Sequence, residues 1–294
     1  MTESITKNAD PEISKRLLLC TDLDRTLIPN GDQPESDHAR EYFWKLSEHS
    51  QVTLVYVTGR HQQLVEQAVT EYDLPQADFV IADVGSSLYR ITSTGWQYQT
   101  DWDEAISQDW QGNSTTELQN CLFDFKELEL QEASKQNTHK LSYYIRLNSD
   151  HKTVISKIKQ RLHQQGIASS LIWSVDRPAN IGLLDILPAS AGKCQAIEFL
   201  MKKLNYNYSE TVFAGDSGND ICVLSSAVPS VLVANADAEV RQEAIKVAQQ
   251  NHQQTCLYLA RGDFMGMNGN YSAGIVEGVI HYMPHLKDWL QGVA

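Results

Sequence analysis

An apolar run, Leu17-Leu18-Leu19-Cys20, leads through Thr21 directly into Asp22-Leu23-Asp24-Arg25-Thr26-Leu27. A run without polar alternation reads as a strand covered on both faces, the kind found in a parallel sheet with helices on either side. This strand ends by delivering Asp22 and Asp24 into a loop. In extended backbone, residues i and i+2 project to the same side, so the two carboxylates are expected to face one site together. Carboxylates held close repel, and the pair needs a cation or a shared proton. Magnesium meets that need, because it prefers hard oxygen ligands and is usually held by one or two carboxylates together with substrate phosphate.

The rest of the chain narrows the class. Its 294 residues exceed one typical domain, and 42% apolar content is enough for an ordinary core. The balance of 24 basic against 37 acidic residues, a net charge of −13, argues against nucleic-acid and anionic-membrane surfaces. A small phosphorylated substrate stays compatible, since one site can be positive within a negative protein. Five cysteines, widely spaced and without a CxxC pair, indicate a reduced, cytoplasmic location with no disulfide framework and no zinc knuckle. Residues 1–15 are polar, lack the apolar centre of a signal peptide and are expected to be a disordered tail. No window approaches a membrane span.

Hydrophobic periodicity sets the organisation. Helical spacing over Pro34 to Leu46, with Asp32 as a candidate cap, is followed by the strand Val52 to Val57, a helix marked by Leu64, Val65, Ala68, Val69 and Tyr72, and the strand Phe79 to Ala82. Strand, helix, strand, helix, strand at this spacing predicts a parallel sheet. The pattern then changes. A hairpin around Gly95, a helix from Thr115 to Leu130 with a capping box at Ser114 and Glu117, a strand Leu141 to Leu147, a helix Thr153 to Gln164, and strands Ser169 to Val175 and Gly182 to Leu187 read as an inserted α+β module. Alternation resumes with a helix at Gly192 to Leu204, the strand Thr211 to Ala214, a helix after Asn219, strands near Ser230 and Cys256, and a closing helix from Ser272. The expectation is an α/β fold: a doubly wound parallel-sheet core over 16–87 and 188–294, with a cap over 88–187 that sets substrate specificity.

Three strands end in polar groups of different kinds: Asp22 and Asp24, then Thr58-Gly59-Arg60, then Gly215-Asp216-Ser217-Gly218-Asn219-Asp220. In an open parallel sheet, ligands bind beyond the carboxyl ends of the strands, so these clusters can converge although they lie far apart in sequence. Lys193, at the start of a helix, adds a positive charge. Together they supply a nucleophilic aspartate, a second aspartate, a hydroxyl, an ammonium and an acidic loop suited to a metal.

In this order the motifs resemble those of the haloacid dehalogenase (HAD) superfamily of phosphohydrolases: Asp22-x-Asp24-x-Thr26, Thr58, Lys193, and Gly215-Asp216-x-x-x-Asp220. More closely, Val57-Thr58-Gly59-Arg60, Val84-Gly85-Ser86, Asp185-x-Leu187-Pro188 and Ala273-Gly274-Ile275 are similar to the sucrose-phosphate phosphatase family. The resemblance implies that Asp22 attacks phosphorus and becomes an aspartyl phosphate, and that Asp24 acts as acid and then base. It implies that Mg2+ is held by Asp22, Asp24 through its backbone carbonyl, and Asp216, with Asn219 and Asp220 in or just behind that ring. Thr58, Gly59 and Lys193 would neutralise the phosphoryl oxygens, with Lys193 and Thr58 counted among the catalytic residues.

Substrate choice is expected from the cap and its seam with the core. Arg60, Gly85, Ser86, Lys140, Ser142, Tyr144 and Asn219 complete the candidate substrate-binding set; Lys140, Ser142 and Tyr144 alternate along one strand face. Arg25 departs from the small or neutral residue that many relatives carry there; it either lowers the Asp24 pKa or points to solvent, and solvent is the expectation. His61, His139 and His151 form no HxH or HExxH arrangement and are read as surface or helix-face histidines, and Trp96, Trp102 and Trp110 as cap core.

The reading is a cytoplasmic, monomeric magnesium-dependent phosphatase of a sugar phosphate, foremost sucrose 6-phosphate. Alternatives are a phosphatase of another disaccharide phosphate such as mannosylfructose phosphate, a phosphohexomutase, or a catalytically silent partner of a sugar-phosphate synthase.

Overall fold

The structure, a computed structural model, describes residues 16–176 and 179–292; the tail expected over 1–15 lies outside the described residues. Strands β1 (Leu17–Thr21), β2 (Val52–Val57) and β3 (Phe79–Ala82) alternate with helices α1 (Ala39–Ser47) and α2 (Gln62–Glu71), and β4 (Ser87–Thr92) and β5 (Gly95–Tyr98) follow as a hairpin. After α3 (Thr100–Ser107) and α4 (Thr115–Cys121) comes a second sheet of β6 (Glu129–Leu130), β7 (Leu141–Ile145), β8 (Ser169–Asp176) and β9 (Ile181–Pro188), with α5 (His151–Gln164) between β7 and β8. The chain then returns through α6 (Lys193–Leu204), β10 (Thr211–Gly215), α7 (Ile221–Leu224), β11 (Ser230–Leu232), α8 (Ala238–Gln250), β12 (Leu257–Leu259), α9 (Ser272–Tyr282) and α10 (Leu286–Gln291).

Eight strands form the main sheet in the order β12-β11-β10-β1-β2-β3-β4-β5, parallel from β12 to β3. From β1 the chain steps outward through β2 and β3 in one direction, and later through β10, β11 and β12 in the other. The order therefore reverses between β1 and β10, and a crevice opens there beyond the strand ends. Burial of β1 on both faces explains its unbroken apolar run. Leu17 and Leu19 pack with Phe43 of α1 and Val276 of α9, while Leu18 and Cys20 pack with Ile197 and Leu200 of α6 on the opposite face.

The smaller sheet, in the order β6-β7-β9-β8, is antiparallel. Helices α4 and α5 cover one of its faces through Leu118, Leu122, Val154, Ile158 and Leu162, which pack on Tyr143, Ile145, Leu184 and Ile186.

Several expected boundaries move. The hairpin assigned to the cap extends the main sheet, because β4 pairs antiparallel with β3. Trp102 and Ile106 of α3 also pack into the layer of Leu18, Leu88 and Ile197, so Trp102 belongs to the core of the main sheet rather than to the core of the inserted module. Trp110 is buried in the cap, and Trp96 lies half-buried against Tyr89 on the hairpin. Helix α1 begins at Ala39 with His38 in the capping position, so Asp32 lies too far upstream to cap it. Helix α4 keeps its capping box but stops at Cys121, where Arg161 of α5 donates to the Cys121 carbonyl and pairs with Asp124.

Candidate active site

The crevice between β1 and β10 gathers residues that the sequence holds far apart. Thr21 and Ala214 are register partners and the Asp22 amide donates to the Ala214 carbonyl at 2.9 Å, which sets Asp22 beside the loop that starts at Gly215. Lys193, first residue of α6, reaches into the crevice: its Nζ lies 2.9 Å from Asp22 Oδ1, 2.9 Å from Asn219 Oδ1 and 2.7 Å from Asp220 Oδ1. Burial opposes the ammonium charge, but Asp22 and Asp220 hold its proton above the ordinary lysine range. The other oxygen of Asp220 accepts from the amides of Asp216 and Ser217 at 3.2 and 3.0 Å, so this carboxylate fastens its own loop. Gly215 is required there, since a Cβ on it would stand 2.6 Å from Asp220 Cγ.

Asp216 points to the same place. Its Oδ1 accepts from Thr26 Oγ1 at 3.3 Å, and its Oδ2 lies 3.2 Å from Arg25 Nε. Carboxylate oxygens of Asp22, Asp216 and Asp220 lie within 4.8 Å of one another, all three residues buried. Burial, with added repulsion from neighbouring acids, pushes the Asp22 carboxyl well above its usual range, and pushes Asp216 up to about 7 through burial and Asp220. Lys193 opposes the shift at Asp22, and Arg25 together with Lys193 opposes that at Asp216, without cancelling either. Three hard oxygen donors with more negative charge than the local cations offset fit a divalent cation such as Mg2+.

Asp24 differs from the expectation that it and Asp22 share one charge partner. Beyond Thr21 the chain turns tightly, with the amides of Thr26, Leu27 and Ile28 all bonded to the Leu23 carbonyl, so the extended-strand geometry does not persist. Asp24 instead receives a two-pronged contact from Arg60, Nε to Oδ2 at 2.8 Å and Nη2 to Oδ1 at 2.6 Å, and a third bond from Asn30 Nδ2 at 2.7 Å. Burial would raise its pKa, but the Arg60 bonds and charge, with the Asn30 bond, hold the carboxyl below its ordinary value. Arg60, expected near substrate, is thus committed to Asp24. Its neighbour Thr58 is buried at the end of β2, accepts from the Arg60 amide at 3.2 Å and stands on the same rim, while Gly59 is exposed there.

Arg25 does not point to solvent. Its φ of 57° lies in the left-handed region, and its Nη2 contacts Asp237 Oδ1 at 3.2 Å as its Nε faces Asp216. It is therefore beside the metal-type acids and not beside Asp24.

Gly85 and Ser86 serve the seam between core and cap. At φ +99°, Gly85 packs its Cα where a Cβ would fall 2.2 Å from the Gly192 carbonyl carbon, and its own carbonyl accepts from Trp102 Nε1 at 3.1 Å. Ser86 is buried, donates to the Asp83 carbonyl at 3.0 Å and accepts from Asn137 Nδ2 of the cap at 3.0 Å. Lys140 reaches across the same seam to Asp83 Oδ1 at 3.1 Å. Ser142 bonds Asp185 on the neighbouring strand β9, and burial raises that acid's pKa. Tyr144, further out, donates to Glu132 at 2.9 Å. His139 is buried with Nε2 2.9 Å from Asp103, in contrast to the surface position expected, while His151 stacks on Trp173. Asn30 and Asn137 were not legible as site residues: an asparagine in a loop carries no periodic signal, and only the fold aims its amide.

Comparison with known proteins places this geometry. The sequence model of the Sucrose-6F-phosphate phosphohydrolase family matches residues 15–283. The chain belongs to that family. It is 50% identical over 279 residues to a putative HAD-like hydrolase of Nitrosococcus oceani, covering 95% of this chain and 75% of that one. A mannosylfructose-phosphate phosphatase of Agrobacterium fabrum is 25% identical over 266 residues, 90% of this chain and 96% of that one. Among solved structures, the sucrose-phosphatase of Synechocystis sp. PCC6803, determined in complex with sucrose and phosphate, superposes with a TM-score of 0.74 at 27% identity, covering 92% of this chain and 98% of that one. The chain spans about half the length of plant relatives such as sucrose-phosphatase 1 of Nicotiana tabacum, with 52% of that protein covered. As a member of the sucrose-6F-phosphate phosphohydrolase family with the HAD fold, the chain is a phosphoric monoester hydrolase. No helix among the described residues is long and apolar enough to cross a membrane.

Proposed function

We propose that the protein hydrolyses a sugar phosphate monoester, sucrose 6-phosphate to sucrose and phosphate, through an aspartyl phosphate on Asp22. The observation that carries this reading is Lys193 Nζ bridging Asp22 and Asp220 at the crevice where Thr58 and Asp24 also stand. Asp22, Asp216 and the backbone carbonyl of Asp24 would hold Mg2+, with Asp220 and Asn219 behind them; when bound, the ion supplies charge neutralisation for the phosphoryl oxygens.

In the first step an Asp22 oxygen attacks phosphorus, the bond from phosphorus to the sugar oxygen breaks, and that oxygen takes a proton from the Asp24 carboxyl. In the second, the Asp24 carboxylate takes a proton from water as the water oxygen attacks the aspartyl phosphate, releasing phosphate and restoring Asp22. Lys193, the Thr58 hydroxyl and the Gly59 amide stabilise charge on the equatorial oxygens, a role with few substitutes in phosphoryl transfer. The pairing of Asp24 with Arg60 and Asn30 favours its base form, so its service as acid in the first step requires that pairing to loosen as the cap closes over substrate. Lys140, Ser142 and Tyr144, on the cap strand, are the candidates for sugar hydroxyls. Five free cysteines support a cytoplasmic setting.

The test is phosphate release by purified protein with Mg2+ against sucrose 6-phosphate, mannosylfructose phosphate and hexose phosphates. The highest kcat/KM on sucrose 6-phosphate supports the proposal; preference for mannosylfructose phosphate replaces the sugar and keeps the mechanism. Transfer of phosphate between sugar positions without free phosphate, or no turnover of any substrate, overturns it in favour of a mutase or a silent partner of a synthase.

A further inference from the structure

Among the described residues, Arg25 is a charged side chain at the crevice that hydrolysis does not use. It is not loosely placed. Its amide donates to Asn30 Oδ1 at 2.8 Å and its carbonyl accepts from Asn235 Nδ2 at 2.6 Å, so both backbone groups are fixed while φ sits at 57°. From that anchor the guanidinium is laid against Asp216, Nε to Oδ2 at 3.2 Å, and is steadied from outside by Asp237 Oδ1 and the Asn235 carbonyl at 3.2 and 3.3 Å. The Asp216 side chain is 4% exposed, so water screens the contact little. Thr26 donates to Oδ1, while the Arg25 Nε group faces Oδ2 as an ion pair without a hydrogen bond, so the guanidinium acts on that oxygen by charge.

We propose that Arg25 is a built-in competitor for the metal at Asp216: it weakens Mg2+ binding and holds the acid cluster together when no metal is bound. The inference depends on the reading of Asp22 and Asp216, with Asp220 behind them, as the metal site. Two physical effects act in the same direction. The ion pair at 3.2 Å draws Asp216 Oδ2 toward the guanidinium and so opposes its turning toward an ion. Its positive charge also lies within a few ångströms of any divalent cation on Asp216, and in a buried site that repulsion is weakly screened. In the metal-free protein the same charge offsets Asp22, Asp216 and Asp220, for which Lys193 alone is insufficient.

The test is calorimetric titration of EDTA-treated protein with MgCl2, together with melting temperatures in EDTA and in saturating MgCl2, for wild type, Arg25→Asn and Arg25→Lys. Asparagine tolerates the left-handed backbone, and lysine keeps the charge. Expected: R25N binds Mg2+ at least about tenfold more tightly, melts lower in EDTA, and gains more than wild type on adding Mg2+, while R25K stays within about threefold of wild type. A residue that was merely structural would weaken metal binding when replaced, so tightening is diagnostic. Equal or weaker Mg2+ affinity in R25N overturns the proposal while leaving the metal site intact, and so does an R25K that behaves like R25N. No Mg2+ binding by any of the three proteins overturns the metal site itself, and this inference with it.

Discussion

Lys193 Nζ stands 2.9 Å from Asp22 Oδ1 although 171 residues separate them in the chain. The contact is made at the first residue of α6, which returns from the cap, and at the end of β1, which lies at the middle of the main sheet. Cap insertion and site assembly are therefore coupled through one buried ammonium.

Replacing Asp22 with Asn removes the nucleophile and leaves the shape. Phosphate release is expected to fall by about a thousandfold or more. Because burial and neighbouring acids already disfavour the Asp22 carboxylate, D22N in EDTA should melt at or above the wild-type temperature. Native turnover in D22N would refute the mechanism, and a lowered melting temperature would refute the charge balance described for the site.

Replacing Lys193 with Met keeps the unbranched shape at one atom less in length and strips the charge. With the Lys193 side chain 1% exposed and Asp22 and Asp220 both dependent on it, the metal-free protein should lose about 3–5 kcal/mol in urea unfolding. Mg2+ should recover part of that loss. A K193M protein as stable as wild type in EDTA contradicts the pairing.

Gly85→Ala tests the seam. The change combines a φ of +99° with a Cβ 2.2 Å from the Gly192 carbonyl carbon, and a loss of at least about 3 kcal/mol is expected. Gly95→Ala, at φ +112° with nothing within 4 Å of its Cβ, carries the backbone strain alone and should lose about 1–2 kcal/mol. Equal losses at the two positions would mean that the close approach to Gly192 contributes nothing.

Arg60→Gln tests the hold on Asp24. A carboxyl whose pKa is depressed in the folded protein contributes stability that is full above its unfolded value, about 3.9, and is lost as pH falls through the folded value. R60Q should therefore melt below wild type at pH 7, and the gap should close as the pH is lowered below about 4. The Asp24 side chain is 42% exposed, so the gap is expected to be small. A gap that widens on acidification would reverse the assignment.

Much of the core was written in local pattern. The apolar runs of β1, β2, β3 and β10 are continuous because both faces of each strand are covered, and a continuous run is visible without coordinates. The capping box at Ser114 was visible for the same reason, being a contact between residues three apart. The end of α4 was not, since Arg161 that stops it belongs to another helix. The sequence marks β4–β5 as a hairpin within the inserted module, whereas β4 pairs with β3 of the main sheet, because alternation reports pairing within a hairpin and says nothing about which third strand lies beside it.

The sequence by itself determined which residues carry chemistry and in what order they come, because acids at strand ends, a lysine at a helix start and a glycine-rich acidic loop are local features. Only the tertiary structure decided their pairings: Asp24 with Arg60 rather than with the cation of Asp22, Arg25 with Asp216 rather than with water, and Lys140 with Asp83 across the seam. The physical reason is that charge acts through space over a few ångströms, and distances of that size between residues remote in sequence are fixed by strand order and packing, not by spacing along the chain.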